Sequence, residues 1–113
     1  MQLNVAILGG GSWGTTVGAL VARNAPVKLW VRNQTTSDEI NHYHTNSRYL
    51  GDTPLPENLI ATNEIEDAVK DANVLVVGIP SQNFREVLES TQPYLKPWVP
   101  IISLTKGLEL STH

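Results

Sequence analysis

Near its N-terminus the chain reads Val5-Ala6-Ile7-Leu8-Gly9-Gly10-Gly11-Ser12-Trp13-Gly14, an apolar run that breaks abruptly into glycine. The apolar part, taken from Leu3 to Leu8, has the length and composition of a strand covered on both faces. Ser12 to Arg23 follows with helical spacing: Gly14, Val17, Gly18 and Val21 share a face, with Leu20 beside them. The glycines between form the pattern G-x-G-x-x-G at Gly9, Gly11 and Gly14. As a bare hexamer the pattern is weak, but directly between a buried strand and a helix it has a physical meaning. Gly9 allows the tight turn, Gly11 leaves room for a pyrophosphate to approach the backbone, and Gly14 lets helix and strand pack closely. The helix start then offers free N–H groups and a partial positive charge to the phosphates. We therefore expect Gly9, Gly10, Gly11 and Gly14 to hold the pyrophosphate of a dinucleotide.

Other readings of these glycines fare worse. A ligand-free turn would place several glycines at a helix start at a cost in stability and with no packing gain. Gly10, Gly14 and Gly18 have the spacing of a membrane helix-dimer motif, but Gly10 precedes the helix and no apolar span accompanies it. The phosphate loop that ends in Gly-Lys-Ser/Thr is missing.

Outward from this unit the chain alternates short apolar runs with helical patterns. Val27–Val31 reads as a second strand after Pro26, and 36–44 as a short helix with Thr36 and Glu39 at capping-box spacing and Ile40 and Tyr43 on one face. Residues 45–58, with Gly51, Pro54 and Pro56, read as an irregular loop. Leu59–Thr62 is a short strand. Asn63 to Lys70 is a helix with Ile65, Ala68 and Val69 inward and Asn63 and Glu66 as a cap pair. Val74–Val77 is another buried strand, Gln82–Thr91 a helix carrying Phe84, Val87 and Leu88, and Pro100–Leu104 the last strand. Strands alternating with helices give parallel βαβ units and right-handed crossovers. The expected fold class is α/β: a Rossmann-type, doubly wound, mostly parallel sheet, with residues 1–113 as one dinucleotide-binding domain. Such sheets bind ligands beyond the carboxyl ends of the strands, here 9–14, 32–33, 78–83 and 105–107.

Composition narrows the classes further. With 113 residues the chain makes one domain, and 41% apolar with 17% charged residues is globular composition. A net charge of −3, from 8 Lys and Arg against 11 Asp and Glu, argues against a nucleic-acid surface. The absence of cysteine excludes disulfides, thiolate metal sites and cysteine nucleophiles. No metal site is expected. No apolar run reaches the roughly 18 residues of a membrane span, and the N-terminus lacks the pattern of a signal peptide. A cytoplasmic protein with no membrane partner is the expectation, and the sequon Asn33-Gln34-Thr35 then carries no glycan.

Three of the four strand ends carry unusual chemistry. Dinucleotide folds commonly place an acid after the second strand to hold the ribose 2′-hydroxyl. Here the position is Arg32, and no acid follows until Asp38. An arginine can pair with a 2′-phosphate or stack on adenine, which tilts the expectation from NAD toward NADP; otherwise Arg32 is a solvated strand end. After Val77, Gly78 and Pro80 fix a turn where the nicotinamide half belongs. After Leu104, Thr105-Lys106-Gly107 places a lysine beside a glycine turn, able to face an anionic substrate, though a lone lysine is as readily a solvent residue.

Together these features resemble the N-terminal half of the bacterial-type NAD(P)-dependent glycerol-3-phosphate dehydrogenases. The strings that carry the resemblance are Val5 to Thr15, Val27 to Arg32, Asn46-Ser47-Arg48-Tyr49-Leu50, Leu55-Pro56-Glu57-Asn58-Leu59, Ile79-Pro80-Ser81-Gln82 and Ser103-Leu104-Thr105-Lys106-Gly107. They run in the family's order over nearly all of the chain. The resemblance implies that Ser12 and Trp13 belong to the phosphate turn. It implies that Arg32 is the adenosine-side contact, with Asn33 and Tyr49 as weaker ones, and that Pro80 borders the cofactor. Lys106 would touch both cofactor and substrate. It implies interconversion of sn-glycerol 3-phosphate and dihydroxyacetone phosphate, which feeds phospholipid synthesis, and it is compatible with a homodimer of a full-length protein. The family's catalytic lysine and phosphate-binding residues lie in a second, helical domain. The chain ends at His113, so we expect a fragment without its own catalytic residue. His42, His44 and His113 are expected to be solvated. Two alternatives remain: a stand-alone dinucleotide-sensing module, and another NADPH-dependent reductase of the ketopantoate reductase type.

Overall fold

Among the described residues the alternation is realised as five strands and five helices in the order β1 (Val5–Leu8), α1 (Ser12–Ala22), β2 (Val27–Trp30), α2 (Gln34–Tyr43), α3 (Ser47–Leu50), β3 (Leu59–Thr62), α4 (Ile65–Val69), β4 (Val74–Val77), α5 (Ser81–Thr91) and β5 (Ile101–Ser103). The computed structural model describes residues 3–79 and 81–104, without the side chains of residues 81–83. Every strand pairing is parallel and the sheet order is β3-β2-β1-β4-β5. The chain winds outward from β1 to β3, then returns to the other side of β1 with β4. The order therefore reverses between β1 and β4, and a crevice at that switch point is where such sheets take ligands.

Alternation along the strands builds two cores, one on each face of the sheet. Val5 and Ile7 of β1, Val27 and Leu29 of β2, Leu59 and Ala61 of β3 and Val76 of β4 pack with Ala22 and Ile40 from α1 and α2. Ala6 and Leu8, Trp30, and Leu75 and Val77 pack with Ala68 and Val69 of α4 and Val87 of α5. The sheet is thus covered on both faces at β1, which explains the uninterrupted apolar strand. β5 forms an edge, and its Ile101 and Ile102 are exposed. Lys28 interrupts the second core face of β2. Its ammonium reaches the Asp67 carboxylate of α4 at 3.1 Å, so the charge stays at the margin while the stem packs.

Several sequence expectations shift. Leu20 is exposed, not beside the buried face of α1, and Leu3 precedes β1 and is exposed. Tyr43 does not share the buried face of Ile40: it is exposed, because α2 ends there and His44 turns into the left-handed region at φ 56°. The Thr36/Glu39 capping box does not form. Asn33 caps α2 instead, its side chain accepting from the Thr35 N–H at 2.8 Å. The Asn63/Glu66 pair is replaced by a shorter α4, where the Thr62 hydroxyl accepts from the Glu64 N–H at 3.1 Å. The expected irregular loop 45–58 contains α3.

Candidate functional site

The carboxyl ends of β1, β2, β4 and β5 lie at a common level, because the parallel ladders run one residue past the strands. The Gly9 N–H donates to Trp30 O at 2.9 Å, Val31 N–H to Thr62 O at 2.9 Å, Gly78 N–H to Leu8 O and Leu104 N–H to Val77 O, both at 2.8 Å. This fixes the start of the glycine turn between the ends of β2 and β4.

Within the turn the glycines differ in what surrounds them. Gly9 has φ +118°, and a Cβ there would also lie 2.7 Å from the Gly78 carbonyl oxygen, so the turn is both left-handed and pressed against the end of β4. A Cβ on Gly14 would fall 2.0 Å from the Gly9 carbonyl oxygen, closing helix onto turn. Gly10, an unspecified position of the pattern, is also crowded: a Cβ would lie 2.3 Å from Val31 Cγ1. Only Gly11 of the turn looks onto open space, with nothing within 4 Å of a Cβ. Gly11 is the N-cap of α1, it provides no side-chain cap, and no acid stands in the first turn. A helix start has N–H groups without intrahelical partners, and here neither a cap nor a carboxylate satisfies them. The open space at Gly11 and the uncompensated helix end fit an anionic pyrophosphate. The described residues contain no cluster of His, Asp or Glu that could hold a metal ion.

Ser12 and Trp13 are exposed at this end of α1, with Trp13 at 64%. Arg32 is exposed just beyond β2, its guanidinium carbon 5.4 Å from the centroid of the buried Trp30 ring. Cation–π attraction thus steadies one face of the guanidinium while leaving the residue open to solvent. Asn33 already spends its carbonyl oxygen on capping α2, which leaves only its amide N–H groups to offer a ligand. Tyr49 is exposed on α3, and Arg48 lies over its ring at 5.6 Å. Pro80 and Lys106 lie outside the described residues, as do Thr105, Gly107 and His113. Of the other histidines, His42 is exposed, whereas His44 is only half-exposed and its Nδ1 is buried.

Asn46 was not singled out by the sequence, yet it reaches the turn. It is fully buried, and its Nδ2 donates to Gly10 O and to Thr15 Oγ1, both at 2.9 Å. Because that side chain is turned away from α3, the helix is capped from elsewhere. Glu39 accepts from the Ser47 N–H at 2.8 Å, the Ser47 hydroxyl at 3.1 Å and the Thr45 hydroxyl at 2.6 Å. The Thr45 hydroxyl first, and the Ser47 groups after it, hold the Glu39 carboxyl below its ordinary 4.5 against a smaller opposing effect of burial. A lowered folded-state value means that this stabilisation is fully present above about pH 4.5 and is lost as pH falls through the lower folded value. We expect the melting temperatures of the parent and of Glu39→Gln to differ at neutral pH and to converge in acid. A constant gap across that range would contradict the role given to this carboxylate.

Residues 4–113 match the family described as NAD-dependent glycerol-3-phosphate dehydrogenase N-terminus. The chain belongs to this family. It is 53% identical over 112 residues to glycerol-3-phosphate dehydrogenase (NAD(P)+) 2 of Sphingopyxis alaskensis, covering 99% of this chain and 34% of that protein. The chain therefore spans about a third of the length of the curated relatives it matches. The glycerol-3-phosphate dehydrogenase structure of Plasmodium falciparum superposes with a TM-score of 0.86 at 30% identity, over 93% of this chain and 32% of that one. A ketopantoate reductase of Ralstonia eutropha gives a TM-score of 0.72 at 18% identity, over 88% of this chain and 33% of that one, which is a likeness of fold alone. The glycerol-3-phosphate dehydrogenase family thus stands ahead of the reductase alternative, whose likeness is one of fold alone.

Proposed function

We propose that this chain is the cofactor-binding domain, residues 1–113, of a cytoplasmic enzyme that interconverts sn-glycerol 3-phosphate and dihydroxyacetone phosphate. The observation that carries the reading is the open space at Gly11 in front of an uncapped helix start, at the switch point of a parallel sheet. In this reading the turn from Gly9 to Gly14, with Ser12 and Trp13, receives the pyrophosphate. Arg32 takes the adenosine side, aided by the amide of Asn33 and by Tyr49. Pro80 borders the nicotinamide half, and Lys106 faces both cofactor and substrate. The bound nicotinamide supplies hydride chemistry; the protein supplies binding and orientation. Titration of the chain with NADPH and NADH, followed by calorimetry, tests the reading, and an absence of binding by both would refute it.

Cofactor preference rests on Arg32 in the same proposal. With no acid at the end of β2 to hold a ribose hydroxyl, and with a guanidinium steadied on Trp30, the site favours a 2′-phosphate. Arg32→Asp is expected to weaken NADPH more than NADH by roughly 1–3 kcal/mol, the worth of a charge-assisted contact. An unchanged ratio of the two affinities would reduce Arg32 to a solvated strand end.

A further inference from the structure

The phosphate turn contains a hinge of its own. The Gly10–Gly11 peptide has glycine on both sides, and glycine backbones interchange conformations with little steric penalty. A trans peptide is planar, so its C=O and N–H point in opposite directions. Whichever way the Gly10 carbonyl turns, the Gly11 N–H turns the other way. In the structure the carbonyl accepts two bonds, from Asn46 Nδ2 at 2.9 Å and from the Thr15 hydroxyl at 3.2 Å. Asn46 also donates to that same hydroxyl at 2.9 Å, which closes a triangle of three hydrogen bonds. Asn46 and Thr15 are both fully buried, so the carbonyl is drawn into the protein. With the carbonyl drawn inward, the Gly11 N–H points the opposite way, and it has no backbone partner among the described residues.

We propose that Asn46 is a positioning residue for the dinucleotide pyrophosphate: with Thr15 it locks the Gly10–Gly11 peptide in the orientation that presents the Gly11 N–H to a phosphate oxygen. The placement of Asn46 supports a task beyond local structure. It sits at the N-cap position of α3, where an asparagine side chain ordinarily bonds its own helix. Here it makes no cap bond, and Glu39 satisfies the Ser47 N–H instead. The side chain reaches across 36 residues of sequence to the turn. A buried donor pair aimed at one carbonyl removes the alternative peptide orientation, because flipping would take the Gly10 acceptor away from both the Asn46 amide and the Thr15 hydroxyl. The inference rests on the cofactor reading above, and it adds that α3 and the turn form one preorganised unit.

Two variants separate this from packing. Asn46→Ala removes the amide donor; Thr15→Val keeps volume and removes the hydroxyl donor. Both are examined in the 113-residue chain by amide NMR without ligand, by thermal melting, and by titration with NADPH and with 2′-AMP, which lacks the pyrophosphate. For each we expect a shifted or exchange-broadened Gly11 amide signal. NADPH affinity should fall by about tenfold or more, as for loss of a hydrogen bond to a charged group. Affinity for 2′-AMP should stay at the parent's value. An unchanged Gly11 signal with parental NADPH affinity overturns the proposal and leaves the site reading intact. Equal losses for NADPH and 2′-AMP, following the loss of melting temperature, overturn it in favour of a packing role. A parent chain that binds neither ligand overturns the site reading itself, and the ligand-free Gly11 signal still decides whether Asn46 locks the peptide.

Discussion

Gly11→Val is expected to abolish dinucleotide binding while the chain still folds. Gly11 has φ −75° and ψ −171°, an extended conformation open to any residue, and a Cβ there meets nothing within 4 Å. The folded state therefore accepts valine without a clash. The remaining cost is that of a β-branched N-cap in place of glycine, about 1 kcal/mol. Binding is another matter, because the open space at Gly11 is where a pyrophosphate must come to reach the helix N–H groups. A branched side chain there holds the phosphates off those donors. Loss of two charge-assisted hydrogen bonds, at about 1.5–3 kcal/mol each, corresponds to two orders of magnitude or more in affinity. Calorimetry with NADPH and a melting curve measure the two halves of the expectation separately. Parental affinity in the folded variant would remove the turn from the cofactor site.

The strand pattern made most of the sheet legible in advance. Leu59–Thr62 and Val74–Val77 agree with the observed strands at both ends, because each is an apolar run bounded by polar or turn residues. Errors concentrated where one side chain could serve two masters. Glu39 has capping-box spacing from Thr36, yet its carboxylate is drawn forward to Thr45 and Ser47, a tertiary choice that local spacing does not encode. Leu20 is apolar but lies opposite the buried face formed by Gly14, Thr15, Gly18 and Ala22, and the residue is left in solvent.

At the site, the glycine pattern conveyed the right backbone demands but not all of them. Gly10 falls at an unspecified position, and its need for a bare Cα comes from Val31, which is distant in sequence. Asn46 was legible only as part of a resembling string. Its partners, Gly10 and Thr15, become neighbours only once the loop after α2 folds back over the turn, and no periodicity signals that return. The two orientation effects, Trp30 under Arg32 and Asn46 behind Gly10, both come from buried residues, of which Trp30 reads in the sequence as ordinary core and Asn46 as part of an irregular loop.

Gly14→Ala is expected to have the opposite profile from Gly11→Val: the fold fails first. Gly14 is buried in the first turn of α1, and an added Cβ would lie 2.0 Å from the Gly9 carbonyl oxygen and 3.1 Å from its carbon. The obstructing atoms are backbone, and Gly9 is itself held at φ +118° and bonded through its N–H to Trp30 at the end of β2. Helix and strand must then move apart at the centre of the sheet. Alanine does favour a helix by about 1 kcal/mol over glycine. Overpacking of a core commonly costs about 1–3 kcal/mol, and a clash with fixed backbone belongs at or beyond the upper end. The clash outweighs the propensity gain, and a net loss of about 2 kcal/mol or more lowers the melting temperature on the order of 10 °C. Gly18→Ala provides the internal control. Its Cβ would meet only side-chain ends, Leu59 Cδ1 at 3.1 Å and Ile7 Cδ1 at 3.4 Å, which can yield while the helix gains propensity. The expected order of melting temperatures is therefore Gly14→Ala far below the parent and Gly18→Ala near it. Parental melting of Gly14→Ala would mean that the turn and α1 are not pressed together as the structure has them, and the close approach assigned to this glycine would be wrong.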